Sequence, residues 1–178
     1  VLVGSIASLG SQYVLTLNAV NAQNGESLAS TQAEAASRET VLQALGRAAA
    51  AVRERLGESL ASIERFDAPI EQATTSSLAA LEAFTQANLR RAEGSEPDAI
   101  PYFERALELD PNFAMAHARL SVVHNNLGDY ARAAQHALRA YELRDRVSER
   151  ERFYIQSRYL STIGDHASLI QTYQMLKQ

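Results

Sequence analysis

From Tyr13 the chain alternates, with Tyr13, Leu15 and Leu17 on one side and Val14, Thr16 and Asn18 on the other, which is the period of a half-buried strand. Asn24-Gly25 follows as a turn signal, and residues 26–36 are expected to return as the partner strand. Ahead of them, Val1-Leu2-Val3-Gly4-Ser5-Ile6 reads as a further strand whose outer neighbour position is unprotected. After Ala36 the period changes. Val41, Leu42, Leu45, Ala48, Ala49, Val52 and Leu56 recur at helical spacing, with Ser37 placed to cap the helix and Gly57 to stop it. Strand, hairpin and helix make about half an α+β domain over residues 1–66.

Phe66-Asp67-Ala68-Pro69-Ile70 breaks the helical pattern, and Thr74-Thr75-Ser76-Ser77 forms a cap before Leu78-Ala79-Ala80-Leu81, so residues 67–77 are read as a linker. Residues 78–178 are helical in pattern and repeat themselves. Gly94 matches Gly128, Ala99 matches Ala133, and Arg105-Ala106 with Glu108-Leu109 matches Arg139-Ala140 with Glu142-Leu143, all at an offset of 34. Gly164-Asp165-His166 repeats Gly128-Asp129-Tyr130 at an offset of 36. The extra length fits ahead of Ser148-Glu149-Arg150-Glu151, a capping box in which Ser148 and Glu151 satisfy each other's backbone amides. The first helix of this third unit runs through Phe153, Tyr154 and Ile155 to Leu160. Its second helix, from Ala167 to Lys177, is expected to place Leu169, Ile170, Tyr173 and Leu176 on one face. A period of this size belongs to helix-turn-helix solenoids, in which no unit buries its apolar face without a neighbour.

The match extends to residue types, and residues 78–178 resemble the tetratricopeptide repeat (TPR) family. The resemblance implies a mainly α fold of two to three helix-turn-helix units, at about 80–113, 114–147 and 148–178, preceded by the small, incomplete α+β unit. In the first unit the family's packing positions are Ala83, Gly94, Ala99, Phe103, Ala106 and Pro111. Ala99 and Ala106 let the neighbouring helix approach, Phe103 fills the space between them, and the Pro111 ring cannot continue a helix. The second unit has Leu120, Gly128, Ala133 and Ala140 in place, and departs from the pattern at Ser121, Ala137 and Asp145. No polar capping helix follows the third unit, so the chain is expected to be a piece of a longer protein, with self-association through its open last repeat a further expectation.

Residues 1–66 resemble, more loosely, the small α+β domain of the periplasmic Tol-system protein and of the curli secretion lipoprotein, through Gly4-Ser5-Ile6, Tyr13-Val14-Leu15, Asn24-Gly25 and Leu56-Gly57-Glu58-Ser59. The order of these elements, the linker and the repeats is similar to the C-terminal regulatory part of bacterial multidomain signalling proteins, either serine/threonine kinases or winged-helix regulators with TPR tails.

Composition narrows the chemistry. With 46% hydrophobic residues among 178 and a net charge of −4, the chain can bury a core, and a nucleic-acid partner is not expected. The absence of cysteine removes disulfides and thiolate chemistry. No apolar stretch is long enough to span a membrane, so no direct membrane contact is expected of this segment; a cytoplasmic or periplasmic setting is open, including within a membrane-anchored protein. There is no glycine-rich phosphate loop, no His-Arg-Asp loop and no Asp-Phe-Gly triplet, and no nucleophile-base pair stands out, so no enzyme, cofactor or metal is expected. His117, His124 and His136 cluster, but they are read as packing residues, as is His166 in the place of Tyr130. Arg144 to Arg152 holds four arginines against three acids and is read as a solvated turn with local ion pairs; Arg90-Arg91 fits the negative end of a helix.

The function expected is therefore non-catalytic binding of a protein or peptide partner, as a module of a larger bacterial regulatory protein. TPR geometry implies a concave face lined by the first helix of each pair, holding a peptide or partner helix. On it fall Phe84, Asn88 and Arg91 of unit one, Met115, Arg119, Val122, Asn125 and Asn126 of unit two, and Tyr154 and Arg158 of unit three. The carboxylate clamp of chaperone-binding TPR domains is not reproduced, since Phe84 and Glu151 replace required residues. The alternative is the sensory tail of a membrane-anchored serine/threonine kinase, with a ligand bound by the α+β half.

Overall fold

The computed structural model describes residues 1–66 and 74–175, with side chains for all of these but 64–66. The chain divides into two compact units, Val1–Glu71 and Gln72–Gln178.

In the first unit, β1 (Leu2–Leu9), β2 (Gln12–Val20) and β3 (Ser27–Ala35) form an antiparallel meander in the order β1-β2-β3. The first strand is longer than its apolar start suggests, because Ala7 and Ser8 still pair with Val14 and Tyr13. Leu9 pairs with Gln12 across a two-residue turn in which Gly10 takes φ +63°. Glycine is the residue that tight hairpins admit there without strain, a signal the sequence reading passed over. Gly25, at φ +75°, closes the second connection, where the Asn21 amide donates to the Glu26 carbonyl at 2.8 Å.

The alternation along β2 has its physical cause in helix α1 (Val41–Arg55), which lies on β2 and β3. Leu17 and Ala19 of β2 and Ala29 of β3 are buried against Ala48 and Val52. Each leucine so buried contributes roughly 1.5–3 kcal/mol. Ser37 does not cap α1 directly: a short 3-10 turn, Arg38–Thr40, intervenes, and the Ser37 amide donates to the Thr40 hydroxyl at 3.2 Å. Gly57, at φ +91°, follows the helix end as expected, and α2 (Leu60–Phe66) comes next. Every residue of β1 is exposed. Leu2, Gly4 and Ile6 pair with Ala19, Leu17 and Leu15 and so share their face, but α1 covers only β2 and β3.

The described residues of the second unit form three helix-turn-helix pairs: α3 (Leu78–Ala92) with α4 (Glu96–Leu109), α5 (Ala114–Asn126) with α6 (Tyr130–Glu142), and α7 (Glu149–Ile163) with α8 (His166–Met175). The glycine of the repeat explains itself in the turns. Gly94, Gly128 and Gly164 adopt φ +89°, +81° and +74°. In each turn the residue after the glycine donates its amide to the carbonyl five positions back: Ser95 to Arg90, Asp129 to His124 and Asp165 to Leu160, at 2.9 to 3.1 Å. This left-handed helix ending satisfies carbonyls that would otherwise be orphaned, and a side chain at the glycine would be strained.

Alanines at the repeat positions let the helices close on one another: Ala80, Ala87, Ala99, Ala106, Ala133, Ala137 and Ala140 are all buried. Phe103 is fully buried, and Phe84 lies between it and Phe113, with ring centroids 5.6 and 4.8 Å away. Ser77 accepts from the Ala80 amide at the start of α3, and Thr75 donates to the Asp110 carboxylate at 2.6 Å, joining the entry of the α3–α4 pair to its exit. Ser148 and Glu151 make the expected capping box at α7.

Two packing expectations are corrected. Tyr130 is 69% exposed and His166 is also exposed, so neither packs as the repeat pattern led one to expect. On α8, Ile170 and Tyr173 are more than half exposed, and the buried residue is Thr172, whose hydroxyl donates to the Ser168 carbonyl. Leu176 and Lys177 lie outside the described residues, as do residues 67–73 of the expected linker.

Candidate functional site

The first helices of the three pairs, α3, α5 and α7, carry all ten residues expected to meet a partner, and the structure sorts them into three groups. Met115 is the clearest departure. It is 8% exposed and sits in the core with Ala80, Ala116 and Ile155, so it has almost no surface to offer a partner. Phe84 is half-buried and its ring is used against Phe103 and Phe113. Both positions fall on the side of the helix that faces the neighbouring repeat, and burial of apolar surface decides their role.

A second group is tied up in internal polar contacts. Arg91 grips Glu96 with Nε and Nη2, each at 3.0 Å, across the turn of the first pair. Asn126, from the next repeat, donates to the same carboxylate at 3.1 Å. The Arg91 guanidinium, more than any other neighbour, holds the Glu96 carboxyl below its usual range. Glu96 was invisible to sequence reasoning as a hub, since it lies 30 positions from Asn126 and only the stacking of repeats brings them together. Asn88 spends its amide on the Phe84 carbonyl at 2.8 Å.

The third group is available. Val122 and Arg158 are half-buried and Asn125 is exposed. Arg119 of α5 donates from Nη1 to the Tyr154 hydroxyl of α7 at 3.1 Å, and its guanidinium lies over the Tyr154 ring, 4.9 Å from the centroid. Arg119 Nε and Arg158 Nε are both buried without an acceptor. Glu151, on the same helix as Tyr154 and Arg158, does not serve them. Its carboxylate accepts from the Ser148 amide and hydroxyl, and burial raises its pKa.

The histidines form a stack between α5 and α6. His117 Nδ1 and His136 Nδ1 are 3.0 Å apart, and the rings of His124 and His136 are parallel to within 3°. His117 Nε2 lies 3.3 Å from the Pro111 carbonyl and must therefore donate, so neutral His117 accepts at Nδ1 from the Nδ1–H of His136. Among the described residues no group of three or more His, Asp or Glu side chains could hold a metal ion. Burial, then the neighbouring His117, His124 and Arg132, push the His136 pKa down to about 4; burial also lowers His117.

A depressed histidine pKa means that the fold favours the neutral form. Its contribution is fully present above the unfolded value of about 6.5 and is lost as the pH falls towards 4. After allowance for partial solvent exposure, the loss is about 1–2 kcal/mol. Urea titrations of the chain and of His136→Asn at pH 7.5 and 4.5 should show a larger acid loss in the parent chain. Equal losses would mean that the stack does not couple to folding.

The ion pairs elsewhere are local. Arg90 pairs with Glu93 and Arg139 with Glu142, each at 3.0 Å, while Arg144 stacks on Tyr141 at 4.0 Å. No curated protein matches the chain. A family model of the tetratricopeptide repeat matches residues 102–135, which run from α4 through α5 into α6, and it is to this family that the paired helices around the site are similar.

Proposed function

We propose that the chain is a non-catalytic protein-interaction module of a larger regulatory protein, and that the face formed by α3, α5 and α7 holds a peptide or partner helix. TPR repeats generally mediate protein-protein interaction, and the repeat model matched here carries that expectation to this chain. One observation supports the choice of face. Beside local ion pairs such as Arg90–Glu93 and Glu149–Arg152, the first helices keep Val122 half-buried and Asn125 exposed, an apolar side chain and an amide three positions apart on α5. An extended segment laid along them would bury apolar surface at Val122 and Tyr154 and find donors beside it. The apolar residues of β1, exposed on both faces of the sheet, support the wider reading that further protein packs against the first unit. No helix among the described residues is long and apolar enough to cross a membrane.

Site-specific photo-cross-linking tests the assignment. A photoreactive side chain at Val122 should capture the partner of the intact protein, and one at Gln135, exposed on α6, should not. Capture from Gln135 alone would place the partner on the outer helices and overturn the assignment.

A further inference from the structure

We propose that the chain forms a symmetric dimer through the open edge of its sheet: β1 pairs antiparallel with β1 of a second copy about a two-fold axis at Ser5, merging two three-stranded sheets into one. This pairing involves the first unit alone and does not depend on what the repeats bind.

The two edges of the sheet differ in kind. β3, at one edge, carries the charge of Glu34, its register with β2 shifts between Ala19 and Val20, and Arg47 Nη2 donates to the Glu34 carbonyl at 3.1 Å. Charges, irregular register and occupied carbonyls discourage a further strand. β1, at the other edge, has none of these. Leu2-Val3-Gly4-Ser5-Ile6-Ala7-Ser8-Leu9 holds no charge and no proline, pairs with β2 without a shift along its whole length, and is exposed at every residue. An edge so regular and uncharged is a template for another uncharged strand.

Hydrogen bonding restricts the register. Val1 and Val20 exchange both backbone hydrogen bonds, at 2.7 and 2.8 Å. Because such pairs alternate along an antiparallel ladder, Val3, Ser5 and Ala7 also turn their amides and carbonyls to β2, whereas those of Leu2, Gly4, Ile6 and Ser8 turn outward. A two-fold axis at Ser5 sets Leu2 against Ser8 and Gly4 against Ile6, which joins the outward groups to one another in hydrogen-bonded pairs.

The same axis matches side chains by size. Leu2 meets Ser8, Val3 meets Ala7 and Ile6 meets Gly4, so each bulky residue lies beside a small one, and Ser5 meets Ser5 in a hydroxyl row continued by Thr16 on each side. Cross-strand pairs of hydroxyls and of apolar side chains both stabilise a sheet. With the axis at Ile6 instead, Val3 would meet Leu9 and Gly4 would meet Ser8, leaving bulk against bulk and gap against gap. A strand that complements itself fits a second copy of this chain, since a two-fold interface requires one patch to match its own image. Leu2 and Ile6, 59% and 57% exposed, gain cover from it.

Sedimentation velocity of the full chain should show monomer passing to dimer with a midpoint of about 1–100 μM, as suits a small interface. Ser5→Lys, which sets like charges face to face at an exposed position, should raise that midpoint by about tenfold or more and leave the thermal midpoint of the monomer nearly unchanged. Cross-linking reads the register, and the chain has no cysteine of its own to interfere. Ser5→Cys should oxidise to a disulfide-linked dimer, because directly opposed residues bring their Cα atoms within disulfide range. Val3→Cys should not, because Val3 of the second copy lies about 14 Å away along the paired strands. A chain that stays monomeric up to about 300 μM, a dimer that Ser5→Lys leaves intact, or equal cross-linking of the two cysteine variants would each overturn the pairing. Should Ser5→Lys fail to fold, the cysteine variants decide alone.

Discussion

Replacing Phe103 with alanine is expected to remove about 3–5 kcal/mol of stability, the largest effect of any single substitution proposed for this chain. The ring is fully buried between repeats, in contact with Phe84 and in one cluster with Ala87, Ala99, Leu120 and Val123. Truncation loses the transfer free energy of the ring and leaves a cavity among Phe84, Ala87, Ala99, Leu120 and Val123. Those side chains sit on helices already in contact, which limits how far they can move inward to fill it. Equilibrium urea unfolding followed by circular dichroism measures the loss, with Leu89→Ala as a control on the same unit. Leu89 is 51% exposed, and its truncation should cost less than about 1 kcal/mol. A Phe103→Ala loss no larger than that of the control would show that the aromatic cluster does not hold the repeats together.

Enlarging a repeat alanine should act in the opposite sense sterically and in the same sense energetically. Ala99→Leu and Ala133→Leu should each cost about 1–3 kcal/mol, because Ala99 is fully buried and Ala133 is 2% exposed, where paired helices meet. Added methylenes must push the second helix away from the first or adopt strained rotamers. Gln135→Leu, two positions further along α6 and exposed, should stay within about 0.5 kcal/mol. Comparable small effects at all three positions would mean that the 34-residue register does not describe the packing.

Much of this fold was written in local pattern. The glycines at 94, 128 and 164 mark the turns because each needs a left-handed backbone, and the alanines seven apart mark the helix contacts because nothing larger fits. Ser148 with Glu151, and Gly57 after α1, are local as well: capping is satisfied within a few residues, so a reader of the chain has all the partners in view.

The sequence by itself thus determined the element types and the solenoid period. The tertiary structure decided what each residue expected to meet a partner is free to do. Met115 and Val122 lie seven apart on one helix and look alike in the pattern, yet the first is buried against Ala80 and Ile155 and the second keeps a surface. Arg91 and Arg119 are both inner-face arginines, but Arg91 is consumed by Glu96 while Arg119 keeps an empty edge beside Tyr154. The Tyr154 contact joins residues 35 positions apart, and the Asn126 bond to Glu96 joins residues 30 apart. Helical periodicity assigns a side chain to a face; whether its polar atoms find partners there depends on the neighbouring repeat, which only stacking brings within reach.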